Sequence, residues 1–135
     1  MYLIDSNIFL ELVFGQGRSA ECKTFLQRVK SGEISSTISD FNIDSILLAI
    51  YRHTKNPLLM KTFLNSILMF TGLDVYFISI EDRLEGIKHI KAHSLDFEDA
   101  ITLQAALASG CSAIVSFDGD FDNLQVKRVE PKDII

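Results

Sequence analysis

Three aspartates alternate in the stretch S-F-D-G-D-F-D-N-L: Asp118, Asp120 and Asp122. Carboxylates this close repel one another unless a cation or water separates them. A calcium loop of the EF-hand kind needs Gly at its sixth position and Glu at its twelfth. Counted from Asp118, those positions hold Asn123 and Val129, so that chemistry is excluded. An aspartate nucleophile of the phosphatase kind needs a lysine and further acids on later elements, and the chain is nearly finished after Asp122. Asp122 reads as a solvated turn residue, of the type that Asp and Gly favour. Asp118 is different, because it follows the short β-branched run Ala113-Ile114-Val115, which reads as a buried strand.

Three further acids border core-like residues in the same way. Asp5 follows Leu3-Ile4, Asp44 precedes Ile46-Leu47, and Asp99 precedes Ala100-Ile101. An acid beside a buried segment is costly to ionise, and a shared cation offsets that cost. Hard oxygen ligands without a Cys or His cluster suit Mg2+ or Mn2+. Such ions acidify water and stabilise charge that builds on a phosphate. Taken singly, each acid is better explained as a helix cap or a first-turn carboxylate facing the helix dipole, and it is the convergence of four that points to metal. His89 and His93, one helical turn apart, lack a third ligand and the Glu of a zinc-protease motif, so they read as surface histidines.

The elements that must position these acids alternate between strand and helix. Tyr2-Leu3-Ile4 predicts a strand, followed by a helix from Asn7 capped by Ser6. A second helix spans Ser19 to Lys30, with Cys22, Phe25, Leu26 and Val29 on one face. Ser36-Thr37-Ile38 predicts the second strand, and Ser39 caps a helix carrying Ile43, Ile46, Leu47 and Ile50. Asn56-Pro57 restarts a helix over Leu58–Phe70 that is apolar nearly all round, which implies deep burial or docking against another chain. Val75–Ile80 predicts the third strand, followed by a helix to about His93 and another from Phe97 to Ser109. Strand 113–115 and a last short strand, Val126–Val129, complete an α/β pattern with a mainly parallel sheet and helices on both faces. In such a sheet Asp5, Asp44, Asp99 and Asp118 all lie toward one carboxyl edge, where ligands bind.

With 135 residues, 47% of them hydrophobic, the chain is expected to fold as a single domain, 1–135, with a real core. The net charge of -5 argues against a nucleic-acid partner unless several acids are gathered around metal, which reverses the local sign. The two cysteines, Cys22 and Cys111, are too few for a disulfide framework and suit a reducing cytoplasm. The N-terminus is cut by Asp5 and Glu11 and lacks the charge pattern of a signal peptide, and no apolar run approaches a membrane span.

Y-L-I-D-S-N-I-F-L-E at 2–11, L-D-F-E-D-A-I-T-L-Q-A-A-L-A at 95–108 and I-V-S-F-D-G-D-F at 114–121 resemble, in order and spacing, the successive motifs of PIN domains. The single-domain ribonuclease toxins of VapBC toxin–antitoxin pairs are the most similar kind. The resemblance implies a PIN fold, metal-dependent ribonuclease activity with Mg2+ or Mn2+, an RNA substrate, a separate antitoxin and a homodimer. It implies catalytic roles for Asp5, Asp44, Asp99 and Asp118, with Asp5, Asp99 and Asp118 on the metal. Asn7 and Ser116 match polar positions that steady the site, and Asp96, Glu98 and Asp120 stand around it. The family's second acid is usually Glu, and the matching position is assigned to the shorter Asp44, with Asp40 as the alternative. That departure leaves open a second function: a PIN-fold module that binds RNA or protein without cutting. Two basic groups offer phosphate contacts: Arg18, Lys23, Arg28 and Lys30, and Arg52, His53 and Lys55. Two acids after the first strand and a lysine after the fifth would mark a phospho-accepting receiver domain, and neither is present.

Overall fold

The computed structural model describes residues 1–135. Its elements run β1 (Tyr2–Ile4), α1 (Ser6–Val13), α2 (Ser19–Lys30), β2 (Ser36–Ser39), α3 (Asp40–Thr54), α4 (Pro57–Leu68), β3 (Leu73–Tyr76), α5 (Ile80–His93), α6 (Phe97–Ala108), β4 (Ala113–Val115) and β5 (Lys127–Val129). All five strands are parallel, in the order β3-β2-β1-β4-β5. The chain winds outward from β1 to β3 and then returns to β4 on the other side of β1. The reversal point therefore lies between β1 and β4, where adjacent crossovers leave in opposite directions and open a crevice at the carboxyl edge.

Alternate residues of each short strand serve opposite faces, as the pleat requires. Ile4, Ile38 and Val115 pack with Ile8, Phe25, Ile46 and Phe63 of α1–α4. Leu3 and Ile114 pack with Ile101, Leu103 and Ala106 of α6 on the other face. Both strand faces are buried, which is why β4 reads as an unbroken apolar run. Gly86 lets α5 lie close on α6, since a β-carbon there would stand 2.7 Å from Ile101 Cδ1. Cys22 and Cys111 are unpaired and buried, and burial pushes the Cys22 thiol up to about 12. No helix is long and apolar enough to cross a membrane.

Three expectations are corrected. The cap of α1 is Asp5, not Ser6: its carboxylate accepts from the Ser6 N–H, and Ser6 opens the helix. The third strand is Leu73–Tyr76, four residues earlier in its end than expected. Ser79 and Asp82 form a capping box that draws Ile80 into α5, so local hydrogen bonding overrides the β-branched signal of Ile78 and Ile80. Finally, α4 is not deeply buried. Phe63 and Ile67 enter the core, whereas Leu58, Leu59, Leu64 and Leu68 face outward.

Candidate metal centre

Asp5 sits at the tip of β1 and Ser116 at the tip of the adjacent β4, so the central strand pair sets their separation. Ser116 Oγ donates to Asp5 Oδ2 at 2.7 Å, and the Ser6 N–H donates to Asp5 Oδ1 at 2.8 Å. The same Ser116 oxygen accepts from Asn7 Nδ2 at 3.1 Å and from the Asp118 N–H at 3.0 Å. Asn7 Oδ1 in turn accepts from the Phe117 N–H at 3.4 Å. Ser116 is fully buried, and its hydroxyl ties the start of α1 to the loop that carries Asp118. Ser116 thus bonds Asp5 directly, and Asn7 reaches it only through Ser116.

Asp118 caps a single 3₁₀ turn, Gly119–Phe121, by accepting the Asp120 N–H at 2.9 Å. Phe121 is buried and pins that turn to the core. Asp99 is the third residue of α6, whose N-cap Asp96 accepts the Asp99 N–H at 2.8 Å. Oxygens of Asp99, Asp118 and Asp120 all lie within 4.8 Å of one another. Asp120 thus comes closer to the centre than its turn-like setting in the sequence implied.

The electrostatics are unbalanced. Burial pushes Asp5 up to about 6, against its hydrogen bonds from Ser116 and Ser6, and the charges of Glu98 and Asp118 add to the rise. Burial likewise pushes Asp99 up to about 7, with Asp96, Asp118, Asp5 and Asp120 adding to it. None of the seven ion pairs in the chain reaches Asp5, Asp96, Glu98, Asp99, Asp118 or Asp120. Asp5 and Asp99 are buried, Asp118 is half-buried and Asp120 is exposed; gathered without a cationic side chain, these acids fit a divalent ion: oxygen-only donors at converging positions, and a charge that nothing in the chain offsets. Asp99, Asp118 and Asp120 are the residues that would hold it, with Asp5 beside them.

Helix α3 does not contribute an acid. Asp44, expected in the catalytic set, is exposed and makes no hydrogen bond. Asp40 accepts the Ile78 N–H at 2.9 Å and so fastens the chain after β3. The side chain that α3 turns inward is Asn42, three residues after the Ser39 cap. Its Nδ2 donates to the Ile4 carbonyl at 3.4 Å and its Oδ1 accepts from Thr102 Oγ1 at 3.2 Å. Two residues along a helix is more than half a turn, so a buried Asn42 forces Asp44 to the other side. The spacing from Ser39 is the signal that could have identified Asn42.

The two basic groups also divide. Arg18 pairs with Glu21 and Glu130 and lies 3.8 Å over the Phe117 ring, bracing the loop before Asp118. Arg28 pairs with Glu33, while Lys23 and Lys30 border an apolar groove away from the acids. Arg52 makes no such bond and lines a different cavity, beside the acids. His89 hydrogen-bonds Gln104 at 2.9 Å and stacks on His93, as surface histidines do.

A family model described as PIN domain matches residues 2–127. No curated protein matches the sequence at a significant level. Among solved structures, the chain is similar to Mycobacterium tuberculosis VapC20, a toxin that cleaves the sarcin–ricin loop: 17% identity, TM-score 0.77, covering 97% of this chain and 100% of that one. It is similar to a toxin–antitoxin complex from Klebsiella pneumoniae, with 19% identity, TM-score 0.69 and coverage of 97% and 98%. It is also similar to VapBC2 of Rickettsia felis bound to a DNA fragment from its promoter, with 12% identity, TM-score 0.71 and coverage of 96% and 97%.

Proposed function

The chain belongs to the PIN domain family, and from that premise we propose that it is a metal-dependent endoribonuclease, the cytoplasmic toxin of a type II toxin–antitoxin pair. The convergence of Asp5, Asp99, Asp118 and Asp120 at the sheet reversal, without a cationic side chain to balance them, carries this reading. Mg2+ or Mn2+ bound there would supply acidified water and positive charge against a phosphodiester under attack. The chain's own residues do the rest. Ser6 N–H and Ser116 Oγ–H fix both oxygens of Asp5, and Asn7 and the Asp118 N–H fix Ser116, so the acids are preorganised before substrate arrives. In the proposed reaction, water bonds to phosphorus as the bond to the 3′-oxygen breaks, leaving 5′-phosphate and 3′-hydroxyl ends.

Two surfaces support the partners. An apolar groove of about 350 Å³ between α1, α2 and α4 is walled by Phe9, Leu12, Leu26, Phe63 and Phe70. It fits an apolar segment of an antitoxin, in keeping with the toxin–antitoxin complexes among the structural neighbours. The outward leucines of α4 fit a second copy of the chain in a homodimer.

Asn42 favours a second reading, a PIN-fold module that binds without cutting, because an amide stands where α3 meets the site. Incubation of mixed-sequence RNA with Mn2+ or Mg2+, against EDTA and an Asp5→Asn control, separates the two. Metal-dependent cutting that leaves 5′-phosphates and is lost in the variant is the expected result. Absence of both cutting and measurable metal affinity would turn the assignment to the binding module.

A further inference from the structure

Beside the acids lies a second cavity, of about 350 Å³, between the start of α1, one face of α3 and the first turn of α6. Its walls differ in chemistry. Phe41 and Leu48 of α3 give an apolar face, and Phe97 holds the Phe41 ring edge-on at 5.7 Å between centroids. Ser6 and Glu98 form the wall toward the acids, joined by a bond from Ser6 Oγ to Glu98 Oε1 at 3.3 Å. Each is the immediate chain neighbour of a central acid, Asp5 or Asp99. Arg52 stands on the α3 wall, and of the five arginines it alone makes neither an ion pair nor a hydrogen bond.

We propose that this cavity is the subsite for one guanine nucleotide of single-stranded RNA adjoining the bond to be cut. The inference rests on the nuclease reading and deepens it by assigning base preference. The apolar wall offers an unpaired base a surface to stack on. The unengaged Arg52 guanidinium suits the phosphate on the side away from the acids. Glu98 selects the base. A carboxylate only accepts hydrogen bonds, and its second oxygen is not held by Ser6. Guanine presents two adjacent N–H donors on its pairing edge. Adenine and cytosine set an acceptor beside their amine, and uracil flanks its single N–H with two carbonyls, so each of these meets the carboxylate with repulsion.

The test uses the Asp5→Asn chain with Mg2+, which suppresses turnover while retaining Asp99, Asp118 and Asp120. Binding of short fluorescent oligouridines, with or without one central guanine, is followed by anisotropy. The guanine oligomer binds about tenfold more tightly, the discrimination expected of a good carboxylate–base pair. Adding Glu98→Gln removes the preference, and oligouridine binds as well or more tightly because the carboxylate's repulsion of the uracil carbonyls is gone. Adding Arg52→Gln weakens both oligomers alike. Equal affinity for the two oligomers, a preference that survives Glu98→Gln, or no binding of either oligomer would overturn the subsite. Cleavage by the native chain is scored separately. Cutting without guanine preference removes only the subsite, whereas guanine-selective binding without cutting leaves the subsite and removes the nuclease.

Discussion

Two groups of buried carboxylate stand on this molecule, and they are treated in opposite ways. Asp82, near the start of α5, accepts from Tyr76 Oη at 2.7 Å, from the Ser79 N–H at 3.0 Å and from Gln104 Nε2 at 3.1 Å. Although burial works against the charge, these bonds hold its carboxyl below the usual range. Asp99 lies on the neighbouring helix and receives no hydrogen bond on its carboxylate, and it is pushed up to about 7. One acid is satisfied by the fold and serves it. The other is left unsatisfied among Asp5, Asp118 and Asp120, a cost that a cation bound there would offset. Burial alone does not distinguish the two acids; the supply of donors does.

The largest effect is expected at the unsatisfied end. Asp99→Asn removes an oxygen of the central group, and metal-dependent RNA cleavage should fall by at least about 100-fold, as when a preorganised electrostatic group is lost. Titration calorimetry with Mn2+ should show weaker binding by the same variant, while its metal-free thermal midpoint stays level or rises, since a repulsive buried charge has gone.

Asp82→Asn tests the other end and should give the reverse pattern. Whichever way its amide lies, the NH2 group faces a donor from Tyr76, Ser79 or Gln104, a loss of about 1–3 kcal/mol in denaturant unfolding. Cleavage per folded molecule should be unchanged. A variant that kept its stability would remove the claim that Asp82 serves the fold.

Acidity sharpens the contrast. Between the ordinary aspartate value of about 4 and the folded values of about 6 and 7, the folded chain holds more protons at Asp5 and Asp99 than the unfolded chain does. Their contribution to stability therefore rises as pH falls through that window. In EDTA the thermal midpoint should climb by about a few degrees from pH 7.5 to pH 5. Saturating Mn2+ should flatten or invert the trend, because the cation competes with those protons. Asp82, with its lowered value, loses its contribution only below about pH 4 and leaves the window clear.

The smallest effect is expected at Asp44. It is exposed and unbonded, so Asp44→Asn should change cleavage by less than about twofold and stability by less than about 0.5 kcal/mol. A loss comparable to that of Asp99→Asn would return Asp44 to the catalytic set.

Much of this organisation is written locally. Ile4 before Asp5 and Val115 before Ser116 mark strand ends, Ser39 and Asp96 mark helix starts, and the alternation of strands with helices gives the parallel sheet. These signals depend on a few neighbouring residues, so the sequence alone suffices to bring Asp5, Asp99 and Asp118 to one edge. Periodicity states that a helix has an inner side, but the tertiary packing of α3 on β1 and α6 decided that Asn42, and not Asp44, occupies it. In the same way, the turn motif named Asp120 without showing that Asp99, twenty-one residues earlier, would stand within a few ångströms of it. The cavity of Ser6, Phe41, Arg52 and Glu98 joins three elements far apart in the chain, and no local pattern encodes it. Hydrogen-bond supply is also a property of the assembled fold. Asp82 and Asp99 both open helices behind a polar cap, and the arrival of Tyr76 and Gln104 at one of them satisfied the first carboxylate and left the second without a donor.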